Sequence, residues 1–179
     1  MRRLAHLTAI TLIGAVLGTL SATAETPRID RAPAAPFRAR ALTGETLDLG
    51  GLRARGPVVL DFWATWCQPC TQSLPEMEGV YRRLKERGVT VIGVSVDGPR
   101  NQARVHPFAS KLGLSFPILF DAGGSLQRDY QVRAIPTTIV IDSAGAIVYA
   151  GEGWFPGETR KVEAILESLL APASGSPQP

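Results

Sequence analysis

Thiols are scarce in this chain. Its 179 residues hold two cysteines, Cys67 and Cys70, and both fall in the stretch DFWATWCQPC from Asp61 to Cys70. So small a number excludes a disulfide-framed scaffold, in which many bridges substitute for a core. Histidine is equally rare, with only His6 and His106. Two sulfurs and a remote His106 fall short of the four ligands a structural zinc normally takes. An excess of one charge is missing too. Without residues 1–24 the chain carries seventeen basic and sixteen acidic residues, a net of +1, which excludes the basic footprint of a nucleic-acid binder.

No apolar run reaches the roughly 20 residues that span a bilayer. The longest, Leu7 to Leu20, is shorter and is diluted by Gly14, Gly18 and several threonines. Acids are absent before Glu25, Arg2 and Arg3 open the chain, and Ala22-Thr23-Ala24 forms a small-x-small pattern. Residues 1–24 therefore read as a secretory signal, or as an N-terminal anchor over residues 4–24 where it is retained. No cysteine follows the run for lipid attachment, and the arginine pair lacks the other features of a twin-arginine signal.

Residues 25–36, rich in Pro, Ala and charge, read as a flexible tether, and residues 172–179 as a disordered tail. Between them, residues 37–171 alternate strand and helix patterns, which predicts one α/β domain with helices on the faces of a sheet. Short strands are expected at Phe37–Leu42 and Thr46–Leu49. The run Pro57–Phe62 is almost wholly apolar, as in a central buried strand. Leu74, Met77, Tyr81 and Leu84 recur at helical spacing as far as Gly88, a C-cap residue. A strand at Val89–Val96, a helix bearing Val105, Phe108, Ala109 and Leu112, a strand at Phe116–Phe120 and a short helix at Ser125–Val132 follow. Thr137–Asp142 and Ala146–Ala150 flank a hairpin turn at Ser143-Ala144-Gly145. Val162, Ile165, Leu166, Leu169 and Leu170 mark a closing amphipathic helix, with Thr159 as its expected N-cap.

Two cysteines at i and i+3 can be a redox couple, half a metal site or a staple. A staple closing so small a loop restricts the unfolded chain little. Copper(I) accepts two thiolates, so a copper-handling module is a second reading. The order buried strand, Trp-Cys-x-x-Cys, helix favours the first. It places Cys67 at a helix N-terminus, where unpaired N–H groups and the helix dipole stabilise a thiolate, and sets Cys70 one turn inside as resolving thiol.

These motifs resemble those of the thioredoxin superfamily, and within it the exported TlpA/ResA-like thiol-disulfide oxidoreductases. The resemblance runs from about Phe37 to Leu170. It implies a thioredoxin-like fold, a central mixed β-sheet flanked by helices, with an inserted helix-containing segment between Val96 and Phe116. Ala134-Ile135-Pro136-Thr137 resembles the family's cis-proline loop, which faces the CxxC and pairs with substrate backbone through the residue before the proline, here Ile135. Pro75 matches a helix-kinking proline. Asp61, six residues before Cys67, matches a buried aspartate that handles the proton of the inner cysteine, and burial should raise its pKa toward neutrality. Trp66 matches a residue on the active-site rim, whereas Trp63 is expected to pack beside the strand. Trp154 and Phe155 are expected either to dock a partner or to pack. His106 is expected at the surface.

Three positions depart from the family patterns. Thioredoxins place a lysine where Val91-Ile92-Gly93-Val94 offers Gly93. ResA-like proteins carry a glutamate where Ser73 stands, and often replace the aspartate that is kept here as Asp61. The site mixes two subgroups, which leaves apocytochrome c reduction unassigned. The inserted segment also resembles that of peroxiredoxins, but their PxxxTxxC pattern is missing before Cys67. The expected function is thus thiol-disulfide exchange with exported protein partners, in the bacterial periplasm and without a cofactor. Gln68-Pro69 supplies no cation to hold a thiolate, so a reductant is expected ahead of a dithiol oxidant. The resemblance implies recharging by a membrane electron donor of the DsbD or CcdA type.

Overall fold

The computed structural model describes residues 31–171; the expected signal, most of the tether and the tail lie outside the described residues. Strands β1 (Arg38–Arg40) and β2 (Thr46–Asp48) form an antiparallel pair. Helix α1 (Leu49–Arg53) follows at once, capped by the Asp48 carboxylate, which accepts from the Gly51 N–H at 2.9 Å. The sequence reading missed this helix because two glycines in five residues mask its periodicity.

The main sheet runs in the order β5 (Ile118–Phe120), β4 (Thr90–Ser95), β3 (Val58–Trp63), β6 (Thr137–Ile141), β7 (Ile147–Glu152). β3, β4 and β5 are parallel, whereas β6 and β7 are antiparallel to their neighbours. The sheet is therefore mixed, as expected. Every residue of β3 is buried, because helices cover both faces. On one face Val59 and Trp63 join a core with α2 (Cys70–Leu84), α3 (Gln102–Lys111) and α5 (Glu158–Leu170). On the other, Val58, Leu60 and Phe62 meet α1 and α4 (Ser125–Asp129). α3 lies between β4 and β5, in the segment expected to be inserted.

α2 contains Pro75 and ends in a single 3₁₀ turn at Lys85–Arg87. Gly88 closes that turn at φ +97°, and a Cβ there would meet the Arg55 carbonyl oxygen at 2.5 Å, so only glycine fits. Two carboxylates tie α2 to its surroundings. The largely buried Glu78 accepts from the Ser115 N–H at 2.8 Å, the Ser115 hydroxyl at 2.6 Å and Arg82 Nε at 2.6 Å. Burial alone would raise its pKa, but the bonds from Ser115 and the Arg82 charge outweigh it and hold the carboxyl below its usual value. Glu76 accepts from the Thr159 hydroxyl at 2.7 Å.

Two expectations need correcting. Thr159 is not the N-cap of α5, because Gly157 occupies that position and the Thr159 hydroxyl is committed to Glu76 on α2. The tether does not extend to residue 36. Backbone bonds join Ala34 N–H to Gly145 O and Ile147 N–H to Ala32 O, both at 2.9 Å, and the Tyr130 hydroxyl donates to Ala35 O at 2.7 Å. The open edge of β7 has unpaired backbone groups to offer, and a Pro/Ala-rich segment can still supply carbonyls and some N–H groups to it.

Glu78→Ala should cost about 2–3 kcal/mol in urea unfolding at neutral pH, since it strands the buried Ser115 donors and removes charged hydrogen bonds. A carboxyl with a depressed folded pKa stabilises above its unfolded pKa and loses that contribution as pH falls through the folded one. The gap between Glu78→Ala and the parent should therefore narrow on acidification below about pH 4.

Candidate redox site

The β3–α2 junction carries both cysteines, and they are joined as a disulfide, with Cα atoms 5.3 Å apart. The Cys67 N–H donates to the Ala64 carbonyl at 3.1 Å, closing a turn between strand and helix. The Cys70 N–H donates to the Cys67 sulfur at 3.3 Å. A helix begins with N–H groups that have no partner in the helix, and α2 has no side-chain cap. The sulfur of Cys67 answers one of them.

The expected arrangement of an outer and an inner thiol holds only at the margin. Cys67 is 4% exposed and Cys70 0%, because the disulfide folds the first sulfur back over the helix end. The adjoining Trp66, 63% exposed, takes the solvent-facing position.

Asp61 is 1% exposed, on the β3 face that packs with α2. Its Oδ1 accepts from the Thr138 hydroxyl at 3.3 Å, and Oδ2 has no partner. Burial pushes its pKa up from 3.8 to about 7, with the Thr138 bond opposing weakly. The missing lysine has a steric reason. Gly93 is the register partner of Asp61 on β4, and a Cβ at this position would lie 2.9 Å from both Trp63 Nε1 and the Phe116 ring. The two aromatic side chains occupy the volume a lysine would need. Trp63 is fully buried and stacks on Phe108 of α3, centroids 5.6 Å apart.

The Ile135–Pro136 bond is cis. Pro136 is buried and its carbonyl accepts from the Gly153 N–H at 2.7 Å, while the Thr137 hydroxyl holds Ala134 O at 2.7 Å. Ile135 packs against the cluster that contains both cysteines. Among the described residues its own N–H and C=O make no backbone hydrogen bond.

Other residues divide as follows. Ser73 is buried and turns its hydroxyl back to Cys70 O at 3.4 Å, so no acid stands on that turn. Trp154 is half-buried, its N–H directed at Glu76 at 3.4 Å, whereas Phe155 is 63% exposed. His106 is exposed on α3. Among the described residues no group of three His, Cys, Asp or Glu side chains could hold a metal ion. One group escaped the sequence reading. Asp97, fully buried just past β4, accepts from the Thr65 N–H at 2.9 Å, the Thr65 hydroxyl at 2.6 Å and the Ser95 hydroxyl at 3.0 Å. Nothing in the sequence pairs it with a turn 32 residues away.

The family model described as "AhpC/TSA family" matches residues 30–150. The chain belongs to the AhpC/TSA family. Its relatives in that family include the thiol-disulfide oxidoreductase ResA of Halalkalibacterium halodurans, 38% identical over 131 residues, which span 73% of this chain and 71% of that one. ResA of Geobacillus kaustophilus is 36% identical over 72% of this chain and 71% of its own. Among solved structures, a thiol:disulfide interchange protein DsbE from Chlorobium tepidum superposes with a TM-score of 0.71 at 29% identity, covering 78% of this chain and 96% of that one. StoA from Bacillus subtilis superposes with a TM-score of 0.63 at 26% identity, covering 73% and 96%. Within the AhpC/TSA family the chain is a ResA-like thiol-disulfide oxidoreductase with a thioredoxin-like fold, and its two cysteines, Cys67 and Cys70, are joined in a disulfide. No helix among the described residues is long and apolar enough to cross a membrane.

A carboxyl whose folded pKa lies above its unfolded value binds more protons folded, so stability falls as pH rises between about 4 and 7. Asp61→Asn should therefore stabilise the oxidised protein above pH 7, by about 2–4 kcal/mol, and hardly at all near pH 4. Urea unfolding at the two pH values checks both.

Proposed function

We propose that this oxidoreductase reduces disulfides in exported protein partners. One observation carries the reading: a disulfide sits at the N-terminus of α2, with one helix N–H already on the Cys67 sulfur and a buried carboxyl on the same face of the sheet. In the dithiol form Cys67 attacks as thiolate. A bond forms between its sulfur and one substrate sulfur, and the other substrate sulfur leaves as thiolate. Cys70 then gives up its proton, with Asp61 as acceptor, and attacks Cys67. The second substrate thiolate departs, and the protein disulfide re-forms. Two electrons pass to the substrate.

Asp61 suits this step because its pKa of about 7 lets it take and return a proton near neutrality. Substrate backbone would lie along Ile135, whose N–H and C=O are not engaged in backbone bonds within the described chain, with Trp66 as an apolar contact beside the sulfur. A reducing direction follows from the sulfur's surroundings. Its hydrogen bond comes from one neutral N–H, and no cation lies between the cysteines, so the thiolate gains little extra stability.

The signal-like pattern of residues 1–24 supports an activity outside the cytoplasm, in a bacterial periplasm, with the dithiol restored by a membrane electron donor of the DsbD or CcdA type. Equilibration in glutathione buffers should give a potential near −270 mV, the approximate value for thioredoxin, and a value near −120 mV would make the protein an oxidant. Cys67→Ser should abolish disulfide reductase activity, whereas Cys70→Ser should accumulate a mixed disulfide with the substrate, detectable on a non-reducing gel.

A further inference from the structure

Asp97 is a fully buried carboxylate that the exchange chemistry above does not use. Among the described residues it has no basic partner within ion-pair distance. Burying an unpaired charge is costly unless hydrogen bonds answer it, and here three do. Two come from Thr65, through its N–H at 2.9 Å and its hydroxyl at 2.6 Å, and the third from Ser95 at 3.0 Å.

Thr65 lies inside the turn closed by the Cys67 N–H on the Ala64 carbonyl, and the ends of such a turn are less than about 7 Å apart. The carboxylate is therefore bonded directly to the loop that presents the nucleophile, at a residue two positions before Cys67. A second tie, from the Val96 N–H to the Trp63 carbonyl at 2.8 Å, fixes the segment leading to Asp97 against the same loop. We propose that Asp97 is a positioning residue for the redox turn and that its buried charge disfavours the Cys67 thiolate, which keeps the couple reducing.

A negative charge close to a thiol opposes its ionisation, and a buried one is screened little by salt. A less stable thiolate makes the dithiol a better electron donor. The ionisable groups on the elements around Cys67 are Cys70 from the first turn of α2, Asp61 from β3 and Asp97 just past β4; farther along α2, Glu76 is bonded to Thr159, Glu78 to Ser115 and Arg82, and Arg83 to Glu163, with Tyr81 between them. The cis-proline loop brings Ile135 and Pro136, which do not ionise, and α3 leaves Arg104 and His106 exposed. This inference rests on the reductant reading, since it supplies that reading's direction.

Asp97→Asn separates charge from tether, because an asparagine oxygen in the Oδ2 place can accept from the Thr65 N–H and the Ser95 hydroxyl while its NH2 donates to the Thr65 hydroxyl. In the reduced full-length variant, alkylation of Cys67 should follow a titration shifted to lower pH. Its equilibrium with glutathione should move about tenfold toward the dithiol, equivalent to about 30 mV. Thr65→Val does the reverse. It keeps the carboxylate but removes the hydroxyl that partly answers it, so alkylation at neutral pH should slow several-fold. This second variant tests the proposal where the first does not fold. An unchanged Cys67 titration and glutathione equilibrium in a folded Asp97→Asn, or an unchanged alkylation rate in Thr65→Val, would assign Asp97 a purely architectural role. The reductant reading fails separately: an unmutated protein that equilibrates as a strong oxidant overturns it, even if Asp97→Asn shifts as stated.

Discussion

A helix that starts without a cap leaves N–H groups facing the next available acceptor, and in this protein that acceptor is a sulfur. The whole site is organised around that contact. The Cys67–Cys70 spacing lets the first sulfur reach back over the first turn of α2, the strand–helix turn brings it there, and Pro69 starts the helix in the right direction. Every other component acts on the stability of one charge state of that sulfur or its neighbour. The helix end favours the thiolate, the buried Asp61 carboxyl lies on the same face of the sheet with its pKa raised toward neutrality, and burial raises the stakes for both because hydrogen bonds and charges count for more where water is excluded.

The buried acids illustrate how one residue type takes different tasks. Asp61 has a single long hydrogen bond and an unpartnered oxygen, so its charge is poorly supported and it holds a proton near neutrality. Glu78 has three short bonds, one from arginine, and serves as a permanent anion that ties α2 to the segment before β5. The two differ in what surrounds them, and only Asp61 is poised to act as acid and base in turn.

Much of this was readable in the sequence. Strand and helix order, the placement of the CxxC at a helix start and the burial of Asp61 follow from local patterns: an apolar run, helical spacing and one acid inside a strand. Pro136 was recognisable because the motif around it is local as well. What escaped reading depends on distant pairings. The Thr159 hydroxyl caps nothing because Glu76, 83 residues away, competes for it. Asp97 looks like a loop residue until β4 lies beside β3. Gly93 read as a missing lysine, yet its cause is the packing of Trp63, at the end of β3, and Phe116, in the segment before β5. Cys67 was expected to be more open than the disulfide form leaves it.

The stretch between Ala32 and Leu42 also pairs with two distant parts of the sheet. Its early residues bond to Gly145 and Ile147 at the start of β7, and Leu42 N–H bonds to Ile118 O on β5 at 2.9 Å. β5 and β7 are the two outermost strands. One short piece of backbone thus girdles the molecule from flank to flank and occupies part of each margin at which another copy could add a strand. With both margins partly occupied, edge-to-edge addition of a further strand is disfavoured, and the face that carries the Cys67–Cys70 disulfide is left clear of that competition.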